Sequence, residues 1–198
     1  MTKEEILQRL IELNYFKFVP QNEYEMALAN ARKDLERNLL SNDLDLYEEK
    51  KILCSRDRRH WGSDGEDLAE GGIEEKLKLM AEVLTKEGVT LQEISQEIGQ
   101  GNGYAVTVNG KNYRIYEETD INGGEIWNLA LVGLMTIAND LLASAGSQER
   151  LYATHAGNDG FVFFLTEEQY NFLMENGINT SDYSVCPRPL EEVKKQPL

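Results

Sequence analysis

The sequence is poor in the residues that build disulfide-stabilised or zinc-stabilised folds. Its 198 residues include only two cysteines, Cys54 and Cys186, and two histidines, His60 and His155. Two cysteines without a Cys-x-x-Cys spacing do not make a disulfide framework, and two histidines are too few for a histidine-rich zinc site. We therefore expect reduced thiols, no cofactor and a cytoplasmic protein of bacterial type.

Basic residues are also scarce. The chain has 20 lysines and arginines against 35 aspartates and glutamates, which gives a formal net charge of −15. Such a charge repels nucleic-acid phosphates and anionic membrane surfaces, and it favours a basic protein partner or a cation. An acidic surface that serves solubility alone is the alternative.

Long, uninterrupted hydrophobic runs are lacking as well. Residues 2–7 carry acids where a secretory signal needs a basic start, so we expect no signal peptide. The most apolar stretch, 126–145, is broken by polar residues such as Asn139 and Asp140. We expect it to form a buried core helix and not a membrane span.

Helix and hairpin signals follow one another without regular strand–helix alternation. Capping-box patterns and apolar stripes predict helices near residues 2–13, 24–39, 73–84, 90–98, 126–145 and 166–177. Strand patterns predict short strands at 51–54 and 58–61, a hairpin around Asn109-Gly110 and a second hairpin around 157–160.

These signals predict an α+β fold with a mainly antiparallel sheet, built from hairpins and packed against several helices. We expect a single domain over 1–190, with an N-terminal helical part at about 1–45 and an α+β core at about 50–185. The proline-containing end, 187–198, is predicted to be a flexible tail.

Residues 63–72 are the most distinctive segment. Four carboxylates occur within seven residues between glycines: Asp64, Glu66, Asp67 and Glu70. As a partner-binding edge, they would meet basic groups, with Trp61 or Tyr104 as aromatic anchors. Two other interpretations are a capped, acid-rich helix start and a metal site of Asp64, Glu66 and Glu70, because carboxylate oxygens suit calcium or magnesium.

A basic cluster precedes the acidic segment. It consists of Arg56, Arg58, Arg59 and His60. Arginine forks match carboxylates and phosphates, so the cluster either binds an anion or pairs with neighbouring acids within the fold, and we favour the second.

His155 and Asp159 form the alternative catalytic pair, because a histidine held by a carboxylate is the usual general base. No serine or cysteine lies in a recognisable nucleophile setting, and residues 158–160 have ordinary turn chemistry. We therefore favour a protein without catalytic residues. A metal-assisted hydrolase that combines the acidic segment with this pair is the alternative.

In size, acidic charge and α+β layout, the chain resembles the small immunity proteins with which bacteria neutralise their own secreted toxins. The resemblance covers most of the chain and involves no specific motif. It implies tight binding to a cognate toxin, often basic, whose active site is covered. The leading hypothesis is a non-catalytic acidic protein-binding module that binds neither nucleic acid nor membrane; the other alternative is a structural or regulatory adaptor.

Overall fold

The computed structural model describes residues 1–40, 44–47, 52–99, 103–121, 125–154, 157, 160–180 and 187–195, with the backbone alone at 44–47, 52 and 53. Helices surround two antiparallel sheets, so the α+β prediction is confirmed. The strands are β1 Leu44–Tyr47, β2 Ile52–Ser55, β3 His60–Gly62, β4 Ile94–Gly99, β5 Gly103–Val108, β6 Lys111–Tyr116, β7 Glu149–Ala153 and β8 Phe161–Thr166.

The described helices range from short turns to a long central helix. They are α1 Lys3–Glu12, α2 Tyr24–Leu35, α3 Gly65–Asp67, α4 Ile73–Leu79, α5 Ala81–Lys86, α6 Glu118–Ile121, α7 Ile126–Ser144, α8 Glu167–Glu175 and α9 Leu190–Val193. A π-helical turn, Leu68–Gly72, joins α3 to α4 and is kinked at Gly71, whose backbone angles are not helical. The predicted capping boxes of α1 and α8 are confirmed, because Thr2 with Glu5 and Thr166 with Gln169 make both reciprocal hydrogen bonds.

The larger sheet has the strand order β1-β2-β3-β8-β7 and separates two hydrophobic cores. Val162 and Phe164 of β8 belong to the core that contains α4, α5 and α7, whereas Phe161, Phe163 and Leu165 belong to the core of α1, α2 and α8. Alternate side chains of a strand point to opposite faces, so a strand buried on both faces needs an unbroken apolar run. This explains why β8 carries no polar residue before Thr166.

The smaller sheet has the order β4-β5-β6. The hairpin between β5 and β6 turns at Asn109 and Gly110, whose φ angles of 51° and 80° are those of the predicted type I′ turn. The predicted helix at 90–98 is wrong, because Ile94–Gly99 is a strand paired with β5. Residues 94–99 carry apolar side chains only at Ile94 and Ile98, so the local pattern does not indicate a strand, and pairing with β5 decides the conformation.

Helix α7 lies at the centre of the core shared by the two sheets. It is the one helix in the described ranges that is long and apolar enough to span a membrane, with 19 residues and a mean hydropathy of 1.5. Eight of its residues, among them Leu131, Leu134 and Ile137, are buried against the sheets and helices, as expected for a core helix. Its polar Asp140 forms an ion pair with Lys111 of β6 (2.5 Å).

The predicted flexible tail is wrong for residues 187–195. Arg188 forms an antiparallel bridge with Ala153, and its guanidinium group donates to the carbonyl oxygen of Thr154. Helix α9 follows Pro189, and its Val193 is buried in the core that contains α7. The apolar contact of Val193 and the backbone bridge of Arg188 hold this segment in place.

Candidate functional site

The acidic segment begins with a capped helix. The Asp64 Oδ1 atom accepts hydrogen bonds from the backbone N–H groups of Glu66 (2.9 Å) and Asp67 (3.1 Å). These bonds satisfy two of the N–H groups that a helix start leaves unpaired. The interpretation as a capped, acid-rich helix start is therefore confirmed for Asp64.

The remaining carboxylates of the segment face solvent. Glu66, Asp67 and Glu70 are exposed, and Asp64 is half-buried. Within the described ranges, none of the four forms an ion pair with a lysine or arginine. Lys76 interacts electrostatically with Asp64 and Asp67, but its Nζ donates to the Gly62 carbonyl oxygen. Burial lowers the pKa of Lys76, and the charges of Asp67, Glu75 and Asp64 act in the opposite direction.

The π-helical turn places the acidic segment beside β4. Gly71 has a φ of 110°, and a Cβ atom there would meet Ile98 and would lie 3.3 Å from Nε2 of Gln96. Glycine therefore allows the turn and the strand to approach closely. From the other side, the Tyr116 hydroxyl donates to the Ala69 carbonyl oxygen (2.8 Å). Glu70 is thus held next to the smaller sheet, and burial together with the Glu70 charge raises the pKa of Tyr116.

The prediction of Trp61 and Tyr104 as partner anchors is wrong. Trp61 is 5% exposed and Tyr104 is 0% exposed, so neither ring reaches the surface. The indole N–H of Trp61 donates to the Arg58 carbonyl oxygen (2.9 Å), and the Tyr104 hydroxyl donates to Gln96 (3.1 Å). Burial raises the pKa of Tyr104. The exposed apolar side chain next to the acidic segment is instead Ile98, at 49%.

The alternative metal site of Asp64, Glu66 and Glu70 is not supported. No three histidine, cysteine, aspartate or glutamate side chains are grouped for metal binding in the part of the chain that the structure describes. A reason is local geometry, since Asp64 Oδ1 turns to the backbone of its own helix.

The basic cluster pairs with acids of the fold, as predicted, but with different acids. Arg59 is fully buried and contacts both carboxylate oxygens of Glu149, NH1 to Oε2 at 2.9 Å and NH2 to Oε1 at 3.3 Å. Arg58 and Arg56 lie 3.6 and 3.9 Å from Glu23. The nearby carboxylates of residues 64–70 are therefore not neutralised by these guanidinium groups.

A second cluster has residue types that occur in catalytic sites, and the sequence interpretation did not identify it. The Tyr15 hydroxyl lies 3.2 Å from the ring atom Nε2 of His60. Ser55 Oγ donates to the Asp57 carboxylate and accepts a hydrogen bond from the backbone N–H of His60 (2.9 Å). All four residues are at most 1% exposed. Burial and the Asp57 charge raise the pKa of Tyr15 far above its usual value. The cluster has no substrate access, so we interpret it as structural.

The alternative catalytic pair, His155 and Asp159, lies outside the described residues. A polar cleft of about 560 Å³ lies between α1 and α8, and no residue of the acidic segment lines it. Its Arg9 already pairs with Glu12 (3.2 Å) and Glu168 (2.9 Å), so these carboxylates neutralise the guanidinium group.

Comparison with known proteins gives no match. No family model matches the chain, and no curated protein and no solved structure is significantly similar to it. Function therefore has to be argued from the geometry and charge of the described residues.

Proposed function

We propose that the protein is a non-catalytic, acidic module that binds a basic protein partner through the segment 64–70. One observation carries the proposal. Glu66, Asp67 and Glu70 are exposed and form no ion pair among the described residues, although the arginines just upstream are all engaged in pairs elsewhere. The segment therefore presents negative charge to an approaching molecule.

The chain around this segment reinforces the same sign of charge. No lysine or arginine occurs between Arg59 and Lys76, or between Lys86 and Lys111. The second interval includes β4, which packs against the π-helical turn. Neighbouring charges of one sign sum to a potential that attracts a basic surface and accelerates encounter at low ionic strength.

Burial argues against catalysis by the described residues. The cluster of Tyr15, Ser55, Asp57 and His60 is enclosed, and a general base needs to reach the proton that it removes. The exposed carboxylates, by contrast, have no nucleophile or grouped metal ligands beside them among the described side chains. A buried polar cluster together with exposed carboxylates that lack a nucleophile favours binding over hydrolysis.

Within this function, we propose that the partner is a toxin, which the module neutralises. The support is the acidic charge of −15 together with the α+β layout, which resembles that of bacterial immunity proteins. A basic nuclease-like or hydrolase surface would place its cationic groups against residues 64–70.

Capture of a partner at several salt concentrations tests the proposal. The immobilised protein is incubated with lysate of its native host, and the retained proteins are identified by mass spectrometry. We then measure the association rate of the retained partner with the parent protein and with the double variant Glu66→Gln/Glu70→Gln. The matched control is Glu25→Gln/Glu36→Gln, which changes the net charge equally on exposed positions of α2 and its C-cap.

We expect a basic partner whose association rate falls on the order of tenfold or more from low to high salt. Glu66→Gln/Glu70→Gln should slow association several-fold, because the removed charges lie in the contact, and the control should slow it less. An association rate that is independent of salt, or equally affected by both double variants, would contradict binding through this segment.

A further inference from the structure

We propose that the open edge of β4 binds an extended, basic segment of the partner by strand addition. This inference rests on the proposed function and names the structural element that the partner engages. Strand addition uses backbone hydrogen bonds for affinity and side-chain neighbours for specificity. Its requirements are an unpaired strand edge and surroundings that select one kind of strand.

The first requirement is met at β4. It lies at the edge of the smaller sheet and pairs with β5 alone among the described strands. The backbone N–H of Asn109 donates to the Glu93 carbonyl oxygen, in register with the ladder between Ile94 and Val108. Hydrogen-bonded pairs alternate along an antiparallel ladder, so the backbone groups of residues 94, 96 and 98 point to the open side.

The other sheet shows what a protected edge looks like in this molecule. Strand β7 is covered by Arg188, whose N–H and C=O groups both pair with Ala153. Asn139 of α7 also reaches this strand, since its side chain accepts from the Leu151 N–H (2.6 Å) and donates to the Leu151 carbonyl oxygen. Within the described ranges, no other segment makes a backbone hydrogen bond to the open side of β4.

Charge decides which strand can occupy this edge. Glu97 of β4 and Glu93, the residue just before β4, are exposed and lie on the same face of the sheet, because their positions differ by four and side chains alternate between the two faces. A second copy of this chain would bring like charges across the new pair, which is unfavourable. A strand with lysine or arginine opposite these glutamates gains cross-strand ion pairs instead. Glu70 precedes Gly71, which lies against Ile98 on the opposite face of β4, so Glu70 adds negative charge to the surroundings of the edge and not to the face of Glu93 and Glu97.

The opposite face of β4 favours apolar side chains. Ile98 is 49% exposed and rests on Gly71, and half-buried Ile94 packs on the core. An added strand would cover Ile98 with its own apolar residues. The two faces together specify an extended segment in which basic and apolar residues alternate.

A designed peptide tests this inference even while the natural partner is unidentified. The probe is a short synthetic peptide of alternating lysine and valine. The control peptide has the same side chains and charge but is N-methylated at every residue, so that it cannot donate backbone hydrogen bonds. Binding is followed by amide chemical shifts and hydrogen exchange of the full protein, and it is repeated with Glu93→Gln/Glu97→Gln and with Glu25→Gln/Glu36→Gln.

We expect the unmodified peptide to shift the amide signals of Ile94, Gln96 and Ile98 and to slow their exchange. Methylation should weaken binding by about fivefold to tenfold, a change in affinity that corresponds to about one net hydrogen bond. Glu93→Gln/Glu97→Gln should weaken it more than the α2 control does.

Two results would overturn strand addition. One is equal binding of the methylated and unmodified peptides, which leaves charge attraction and hence the proposed function intact. The other is the absence of any change at residues 94–98 at saturating peptide. Salt-independent capture of the natural partner would instead contradict the proposed function, so the two failures are distinguishable.

Discussion

The buried ion pair of Arg59 and Glu149 allows a quantitative test of how this fold handles charge. An arginine side chain has five N–H donors. In this structure the Arg59 guanidinium and Nε groups donate to both oxygens of Glu149 and to the carbonyl oxygens of Tyr15, Asn14 and Phe164. We therefore choose Glu149→Ala as the perturbation, because it removes the only carboxylate that the Arg59 guanidinium group contacts among the described residues.

The structure sets the expected magnitude. Two charge-assisted hydrogen bonds are lost at about 1.5–3 kcal/mol each, and removal of one partner from a buried pair destabilises proteins by about 3–5 kcal/mol. The two approaches agree at roughly 3–5 kcal/mol. Lys17, which also contacts Glu149 (2.9 Å), keeps its ion pair with Glu87 (2.7 Å), so Arg59 is the group left uncompensated. For a chain of this length, the loss corresponds to a decrease in Tm of roughly 6–20 °C.

Equilibrium unfolding in urea, with linear extrapolation, measures this change. Glu168→Ala is the control, because its ion pair with Arg9 lies at the surface and should leave the unfolding curve nearly unchanged. The double variant Arg59→Met/Glu149→Leu should regain part of the lost stability, since no uncompensated charge stays buried. A loss of less than about 1 kcal/mol for Glu149→Ala would refute the argument.

Two further predictions concern the π-helical turn and the buried tyrosines. Gly71→Ala should destabilise the protein more than Gly146→Ala, because both have positive φ but only Gly71 has side chains where the Cβ would lie; equal unfolding midpoints would contradict this. Burial raises the pKa of Tyr15 and Tyr104 above the usual value and that of Tyr152 to about 12. Unfolded tyrosines release their protons near pH 10 and these folded ones do not, so the free energy of unfolding should fall as pH rises above about 10. Urea midpoints together with tyrosinate absorbance measure this, and titration of all nine tyrosines near pH 10 in the folded protein would contradict it.

Local signals were sufficient to predict much of the fold. The Asn109-Gly110 turn, the two confirmed capping boxes and the long apolar helix each depend on residues close together in sequence. The error at 90–98 has the same origin, because a capping-box pattern at Thr90 and Glu93 indicates a helix locally. Pairing of β4 with β5 across the following turn decides the conformation, and tertiary pairing outweighs local propensity.

The site was less predictable than the fold. The helix cap at Asp64 is predictable because its spacing to the next N–H groups is local. Burial of Trp61 and Tyr104 depends on strands and helices that meet only in the folded chain, so composition did not indicate it. The same holds for Arg59, whose partner Glu149 is 90 residues away. Sequence proximity suggested the acids of residues 64–70 as partners of the arginines, whereas in the folded chain Glu149 and Glu23 pair with them.

The distribution of charge between interior and surface has a consequence for the proposed binding of a basic partner. Arg59 is neutralised inside the fold by Glu149, and Arg58 lies beside Glu23. Ion pairs of this kind remove equal numbers of positive and negative charges, so they leave the net charge of −15 on the surface unchanged. Self-repulsion of such a surface disfavours the compact state, and it is reduced when a basic partner supplies counter-charge. A partner bound at Glu66 and along β4 would therefore stabilise this fold as well as bind it, and thermal unfolding of the complex should show both effects in a salt-dependent way.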